Sequence, residues 1–338
     1  MADTDSVVAS SRVRLARNLN GYPFPSRLKN DKQAKEIIRA VSSAINKVDE
    51  FRLYYMDGIP EEQALNLVEN HLVSPLLLKR PSYSAVLINE SRNVSIMINE
   101  EDHLREQCIE KGYALRSAYA TMSQKDGIIA HSIQFAYDEQ LGFLTACPTN
   151  LGTGLRASVM LFLPALTTTG WMPRVIRSAN RLGLTVRGVY GEGSDADGYM
   201  YQLSNEVTLG LTEEFILSQV EQVVERVAEM EMSERANLKK GERAAQIKDA
   251  CLRSYGVLTN CAMLSSEECE KLCANLKLGV CLGYFLSDGI GWIDDLAIRM
   301  KPSNLTLLTH RQLTPDERDG YRAEYVSRHV REGVRKNI

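Results

Sequence analysis

Tyr83-Ser-Ala-Val-Leu-Ile88, Asn89-Glu-Ser-Arg92 and Asn93-Val-Ser-Ile-Met-Ile98 follow one another as strand, turn and strand. Two apolar runs joined by turn-forming residues predict an antiparallel hairpin. Gly142-Phe-Leu-Thr-Ala-Cys147, Leu184-Thr-Val-Arg-Gly-Val189 and Tyr199-Met-Tyr-Gln-Leu203 add further strands, and helical patterns fall at about 31–48, 61–72, 104–123 and 155–166. Hairpins mixed with helices predict an α+β fold, an antiparallel sheet flanked by helices, rather than a doubly wound parallel sheet.

After Thr212 the texture changes. Thr212 reads as an N-cap, Glu213 and Glu214 suit the first turn, and Ile216, Val220, Val223, Val224 and Val227 form an apolar stripe. Ser265 with Glu268, and Thr314 with Pro315 and Glu317, read as capping boxes. The division expected is a sheet-containing catalytic unit over 1–230 and an all-helical unit over 231–338, with a soft boundary in the charged run Glu231 to Glu242.

The chain has 338 residues, 44% of them hydrophobic, and a net charge of -3. That size predicts two domains, and that charge calls for neither nucleic acid nor an anionic membrane. The N-terminus lacks the basic-then-apolar pattern of a secretory signal, and the run Val159 to Leu166 is too short to span a bilayer. Seven cysteines, an odd number in a long chain, predict buried free thiols and a reducing, cytoplasmic setting. Cys269 and Cys273 share a helix face, yet no C-x-x-C pair accompanies them to suggest zinc.

Four segments place arginine beside glycine, serine or glutamate where a core would not want it. In Ser10-Ser-Arg-Val-Arg14, alternation sends Arg12 and Arg14 to one face, where two guanidinium forks suit a polyphosphate. Asn99-Glu-Glu-Asp-His-Leu-Arg105 gathers three acids at what reads as a strand-to-helix junction, suited to a cationic substrate or a proton. Cys147-Pro-Thr-Asn-Leu-Gly-Thr-Gly-Leu-Arg-Ala-Ser-Val159 reads as a strand-to-helix loop whose glycines admit an anion at a helix N-terminus. It also fits a loose G-x-G-x-x-A dinucleotide pattern, but no acid lies in 167–181 to hold a ribose. Arg187-Gly-Val-Tyr-Gly-Glu192 brackets a glycine-bounded turn, and no G-x-x-x-x-G-K-[ST] occurs. Each segment alone also fits a solvated edge, a cap or an ordinary turn.

Together, in this order, the four segments resemble the phosphagen (guanidino) kinase family over roughly residues 8–230. The nearer likeness is to the bacterial branch that acts on arginine in proteins. Only nine residues precede Ser10, so the helical N-terminal domain of the small-guanidine kinases is expected to be missing. Tyr190 and the residues after it depart from the Arg-Gly-Glu-His type, and residues 231–338 form an extension. That extension carries Arg318-Asp-Gly-Tyr-Arg-Ala323, similar to the R-D-x-x-R-A motif of an allosteric phosphoarginine pocket. There Arg318 and Arg322 would hold a phosphoryl group and Asp319 a guanidinium, with Gly320, Tyr321 and Ala323 completing the pocket.

The resemblance implies ATP with Mg²⁺ carried by it, protein substrates with exposed arginine, and no dedicated metal site. It implies Glu101 and Glu192 as the carboxylates that align the guanidinium and take its proton, Glu101 being favoured as base, with Cys147 modulating. For the nucleotide it implies Ser10, Ser11, Arg12, Val13, Arg14, His71, Arg105, Arg156, Ala157, Ser158, Val159, Met160, Arg187, Gly188, Val189, Tyr190, Gly191 and Glu192. It also implies stress-response quality control, an activator protein of McsA type, a Clp ATPase-protease, and a homodimer or higher homo-oligomer. A kinase for free arginine or another small guanidine, and a non-catalytic phosphoarginine-binding adaptor, stand as alternatives.

Overall fold

The computed structural model describes residues 4–337 apart from 29, 80 and 189–196. Val189, Tyr190, Gly191 and Glu192 therefore lie outside the described residues.

The chain opens with β1 (Val8–Arg17), α1 (Asp31–Ile45), β2 (Phe51–Tyr55) and α2 (Glu61–Glu69). The hairpin strands β3 (Ala85–Asn89) and β4 (Val94–Ile98) come next, then β5 (Leu104–Lys111) and α3 (Leu115–Ala130). Two-residue strands β6 (Tyr137–Asp138) and β7 (Gly142–Phe143) precede β8 (Leu155–Phe162), α4 (Pro164–Thr168), α5 (Met172–Arg181), β9 (Leu184–Gly188) and β10 (Met200–Asn205). Helices α6 (Glu213–Leu238), α7 (Ala244–Asn260) and α8 (Ser266–Cys281) follow, then β11 (Phe285–Leu286), α9 (Gly291–Arg299), α10 (Pro302–Thr309), α11 (Pro315–Gly333) and β12 (Arg335–Lys336).

Eight strands form one antiparallel sheet in the order β2-β3-β4-β5-β1-β8-β10-β9. One face is apolar: Val13, Leu15, Ala157, Val159, Ile96 and Leu203 are buried in a core with α1, α3 and α6. The other face carries Arg12, Arg14, Arg105 and Arg156. A second core lies among α7, α8, α9 and α11 and takes in Phe162 from the end of β8.

Two expected helices are strands over their first half. Residues 104–111 form β5 and 155–162 form β8, with helix only from Leu115 and from Pro164. Leu104 and Cys108 stand four apart and mimic a helical stripe. In β5 the core-facing position between them is Glu106, which hides the alternation. In β8 the period of two was legible: Leu155, Ala157, Val159 and Leu161 are buried while Arg156 and Met160 are not. Of the expected strand 142–147, only Gly142–Phe143 pairs.

The charged run after residue 230 does not start as a linker. Helix α6 continues to Leu238, and Glu231 and Arg235 are buried inside the fold. Glu231 accepts from the Ala165 and Leu166 N–H groups at the start of α4, 3.0 Å each, supplying the cap its orphan donors need. Arg235 pairs with Glu231 at 2.8 Å and donates to the Ser6 and Phe162 carbonyls, 3.2 Å each. Thr314 and Glu317 form a complete capping box, and Ser265 accepts from the Glu268 N–H.

Candidate active site

Antiparallel register explains why distant arginines meet, because residues directly opposite point to the same side. Arg14 lies opposite Arg156 on β8 and Gln107 on β5, Arg12 opposite Ser158, and Ala16 opposite Arg105. Arg187, exposed at the end of β9, lies opposite Gln202 on β10, and Gln202 accepts from Arg12 at 2.7 Å. Arg156 donates to Ser204 at 3.3 Å.

The cluster carries more positive charge than its surroundings neutralise. Burial lowers the Arg12 pKa to about 10, with Arg105 and Arg156 adding to the effect. Arg14 is lowered by burial, then by Arg12, Arg105 and Arg156, with Glu100 opposing. Burial and Arg187 lower Arg156. Among the described residues, Glu100 is the acid within ion-pair reach, 2.7 Å from Arg105. Arg14 Nε and Arg156 Nε are buried N–H donors without a partner among the described residues. Converging cations with spare donors are what an anion with many oxygens requires.

Residues 99–103 form the turn between β4 and β5, closed by the Asn99 N–H to the His103 carbonyl at 2.9 Å. The expected strand-to-helix junction is thus a hairpin, and it presents Glu101 to solvent beside the cations. Partial burial and the neighbouring Asp102 and Glu100 raise the Glu101 pKa, against Arg105. Glu101, Cys147, Arg14, Arg105 and Arg156 line one cavity of about 140 Å³. Cys147 Sγ lies 3.0 Å from Thr149 Oγ1.

Asp102 fixes this arrangement and was not singled out in the sequence. Its buried Oδ1 accepts from Asn18 Nδ2 and from the Ala146 N–H, both at 2.6 Å, tying the hairpin to β1 and to the loop bearing Cys147. The Leu19 N–H donates to His103 Nδ1 at 3.1 Å, leaving Nε2–H to donate to the Pro23 carbonyl at 2.9 Å. The imidazole is thereby held neutral, and burial lowers its pKa to about 4.

The glycines before β8 serve backbone contact, not a helix N-terminus. Gly154 has φ +64°, and a Cβ there would lie 2.6 Å from the Ala16 carbonyl oxygen and 2.7 Å from Arg17 Nη1. Buried Arg17 reaches the Thr153 carbonyl at 2.9 Å, pairs with Asp126 at 3.0 Å and stacks on Phe143, 3.6 Å from the ring centre.

Among the residues expected at the nucleotide, Ser10, Ser158 and Met160 share the arginine face. Ser11, Val13, Ala157 and Val159 point into the core instead, because side chains alternate along a strand. Ser11 Oγ donates to the Gly112 carbonyl at 2.9 Å. Gly188 ends β9. His71, with φ +59°, lines a cleft of about 470 Å³ that also includes Ser10 and Met160.

On α11, Arg318, Asp319, Gly320 and Tyr321 are half-buried, whereas Arg322 and Ala323 are buried. Arg322 donates to the Met300 carbonyl at 2.8 Å, the Leu264 carbonyl at 2.6 Å and Asp319 at 2.5 Å. Its guanidinium thereby links α11 to the Met300 and Leu264 backbone and is braced by Asp319. All seven cysteines are free thiols; Cys269 and Cys273 approach to 4.0 Å, and no metal-holding group of three His, Cys, Asp or Glu occurs among the described residues. Among those residues no helix is long and apolar enough to cross a membrane.

Residues 32–234 match the family model of the ATP:guanido phosphotransferase C-terminal catalytic domain, and residues 244–337 match that of the protein-arginine kinase McsB C-terminal domain. The chain is 42% identical to a protein-arginine kinase of Halothermothrix orenii over 322 residues, 95% of this chain and 92% of that one. It is 40% identical to that of Geobacillus stearothermophilus over 337 residues, 98% and 92%. Its fold is similar to the duplicated taurocyamine kinase of Schistosoma mansoni with bound transition-state-analogue components (TM-score 0.64, 26% identity). That match covers 80% of this chain and 40% of the duplicated one. It is also similar to lombricine kinase (TM-score 0.61, 25% identity, 69% of this chain and 68% of that one).

Proposed function

The chain belongs to the ATP:guanido phosphotransferases and, within them, to the protein-arginine kinases; from that premise we propose that it transfers the γ-phosphoryl group of ATP to arginine side chains of proteins. The observation that carries this reading is the single cavity shared by Glu101, Cys147 and three of the arginines.

A guanidinium is a poor nucleophile because it is protonated well above neutral pH. Glu101 aligns one terminal nitrogen toward the γ-phosphorus and accepts its proton as the N–P bond forms and the bond from phosphorus to the ADP oxygen breaks. Glu192 is the second carboxylate by family resemblance. Arg12, Arg14, Arg105, Arg156 and Arg187 hold the phosphate oxygens, and their charge stabilises the dispersed charge of the transferring group. The donor set around the cleft is cationic, so Mg²⁺ enters as part of MgATP rather than in a cage of its own. Cys147 modulates the acid end. Glu101 stands exposed at the lip of its cavity, where an arginine presented by a polypeptide reaches it, which favours protein over free arginine as acceptor.

Residues 1–230 supply catalysis, and residues 231–338 supply dimerisation and phosphoarginine sensing at Arg318 and its neighbours. The cellular role that fits is cytoplasmic stress-response quality control, with an activator of McsA type and a Clp protease downstream. Incubating the protein with MgATP and either casein or free arginine, followed by phosphosite mass spectrometry, tests the reading. Phosphoarginine should appear on casein and be lost in a folded Glu101→Gln variant. A variant that keeps parental turnover removes Glu101 from the chemistry.

A further inference from the structure

The cleft holding His71 is walled by both parts of the molecule. Its floor continues the arginine row: Ser10 follows Arg12, and Met160 follows Ser158, on the same face and one pleat repeat of roughly 6.6 Å further along. Its opposite wall is α8 and α9, with Ala274, Ile293 and Ile298 facing Phe162 and Met200. A volume near 470 Å³ falls within the roughly 300–1,000 Å³ typical of small-molecule sites. The apolar walls suit a flat heterocycle.

Among the polar groups of that wall, which also holds Glu270 and Asp295, Lys277 and Asp294 converge. Lys277, 3% exposed, donates to Asp294 Oδ2 at 2.5 Å and lies 4.4 Å over the Phe162 ring. A fixed donor beside a fixed acceptor matches the polar edge of a purine, which offers ring-nitrogen acceptors beside an amino donor.

The wall is also anchored to the catalytic unit. The Glu69 carboxylate, two residues before His71, accepts from the Ser303 and Asn304 N–H groups at the start of α10, at 3.0 and 2.9 Å. Asn304 Oδ1 accepts from Asn66 and Asn70, at 2.6 and 2.8 Å.

We propose that the C-terminal helices complete the base half of the nucleotide site, with Lys277 and Asp294 reading the polar edge of adenine. The proposal rests on the ATP reading above. It makes the helical unit a component of the nucleotide site and locates base selectivity outside the catalytic sheet.

Calorimetric titration of the full chain with MgATP and with magnesium tripolyphosphate separates the base from the phosphates. Ile298→Trp, at a half-exposed position, fills the cleft; Ala274→Leu does so from α8 should the first variant fold poorly. The expected result is at least a tenfold weaker Kd for MgATP with tripolyphosphate binding unchanged. MgATP affinity equal to the parent's, or equal weakening of both ligands, overturns the proposal. Arg12→Ala serves as the separate control: if it leaves tripolyphosphate binding intact, the phosphate-site reading itself fails.

Discussion

Replacing Asp102 by alanine removes the acceptor that joins the hairpin, β1 and the Cys147 loop. Both of its hydrogen bonds converge on Oδ1 at 2.6 Å. Hydrogen bonds to a charged group contribute about 1.5–3 kcal/mol each, and a stranded buried donor costs about 1–3 kcal/mol. Part of that is already offset. Burial raises the Asp102 pKa despite the Ala146 and Asn18 donors, so the folded state bears an uncompensated desolvation cost that alanine relieves. A net loss of about 1–3 kcal/mol is expected for Asp102→Ala. Asp102→Asn keeps Oδ1 as an acceptor and sheds the charge, so its stability should stay within about 1 kcal/mol of the parent. Urea denaturation reads the stability term, and steady-state kinetics read function. In the alanine variant kcat/KM for the arginine substrate should fall at least tenfold while MgATP affinity holds, because Asp102 supports the acid end and not the phosphate row. An alanine variant with the parental denaturation midpoint and turnover, or one that loses nucleotide affinity equally, would refute the reasoning.

The neutral His103 gives the fold an acid-sensitive component. Its folded pKa, about 4, lies below the ordinary 6.5, so the unfolded chain takes up the proton first and stability falls as pH drops from about 6.5 to about 4. At roughly 1.36 kcal/mol per unit the loss reaches at most about 3.4 kcal/mol, and denaturation of His103→Gln should show a shallower dependence across that window. Gly154→Ala sets a Cβ against the Ala16 carbonyl at positive φ and should cost about 1–3 kcal/mol; an unchanged melting temperature would show the loop to be more yielding than its contacts imply. Arg322→Ala strips two buried carbonyls and Asp319 of their donor and should destabilise by about 3–5 kcal/mol, whereas half-buried Arg318→Ala should leave the unfolding curve in place. If both variants melt like the parent, Arg322 is not the joint described here.

The sheet and the arginine face were legible because their signals are local. Period-two alternation put Arg12 and Arg14 on one side, and motif order brought in Arg105, Arg156 and Arg187. Local signals also misled: Glu106, fully buried with both carboxylate oxygens unpartnered among the described residues, breaks the apolar alternation of β5, so the segment resembled a helix. Burial and the nearby Asp126 push its pKa well up, against Arg17, and a carboxyl buried at a core-facing position is something no sequence pattern announces. Gln202 was within reach of a sequence reading, in an alternating strand, and Glu100 and Asp102 both stood in the quoted acidic segment. The role of Asp102 was not within reach, since it depends on Asn18 and Ala146, which lie 84 and 44 residues away and meet it only when the chain folds. Arg322 shows the same limit: helical spacing gives its face and not its partners.

The pair Glu231–Arg235 has a mechanical consequence. Glu231 grips the start of α4, Arg235 grips the chain at Ser6 and Phe162, and both sit on one continuous helix. The start of the charged run, where the sequence suggested a soft boundary, is a rivet through three elements. Any swing of the helical unit about this point must first pull a buried carboxylate off two amides, so slack, if the molecule uses any, begins past Leu238.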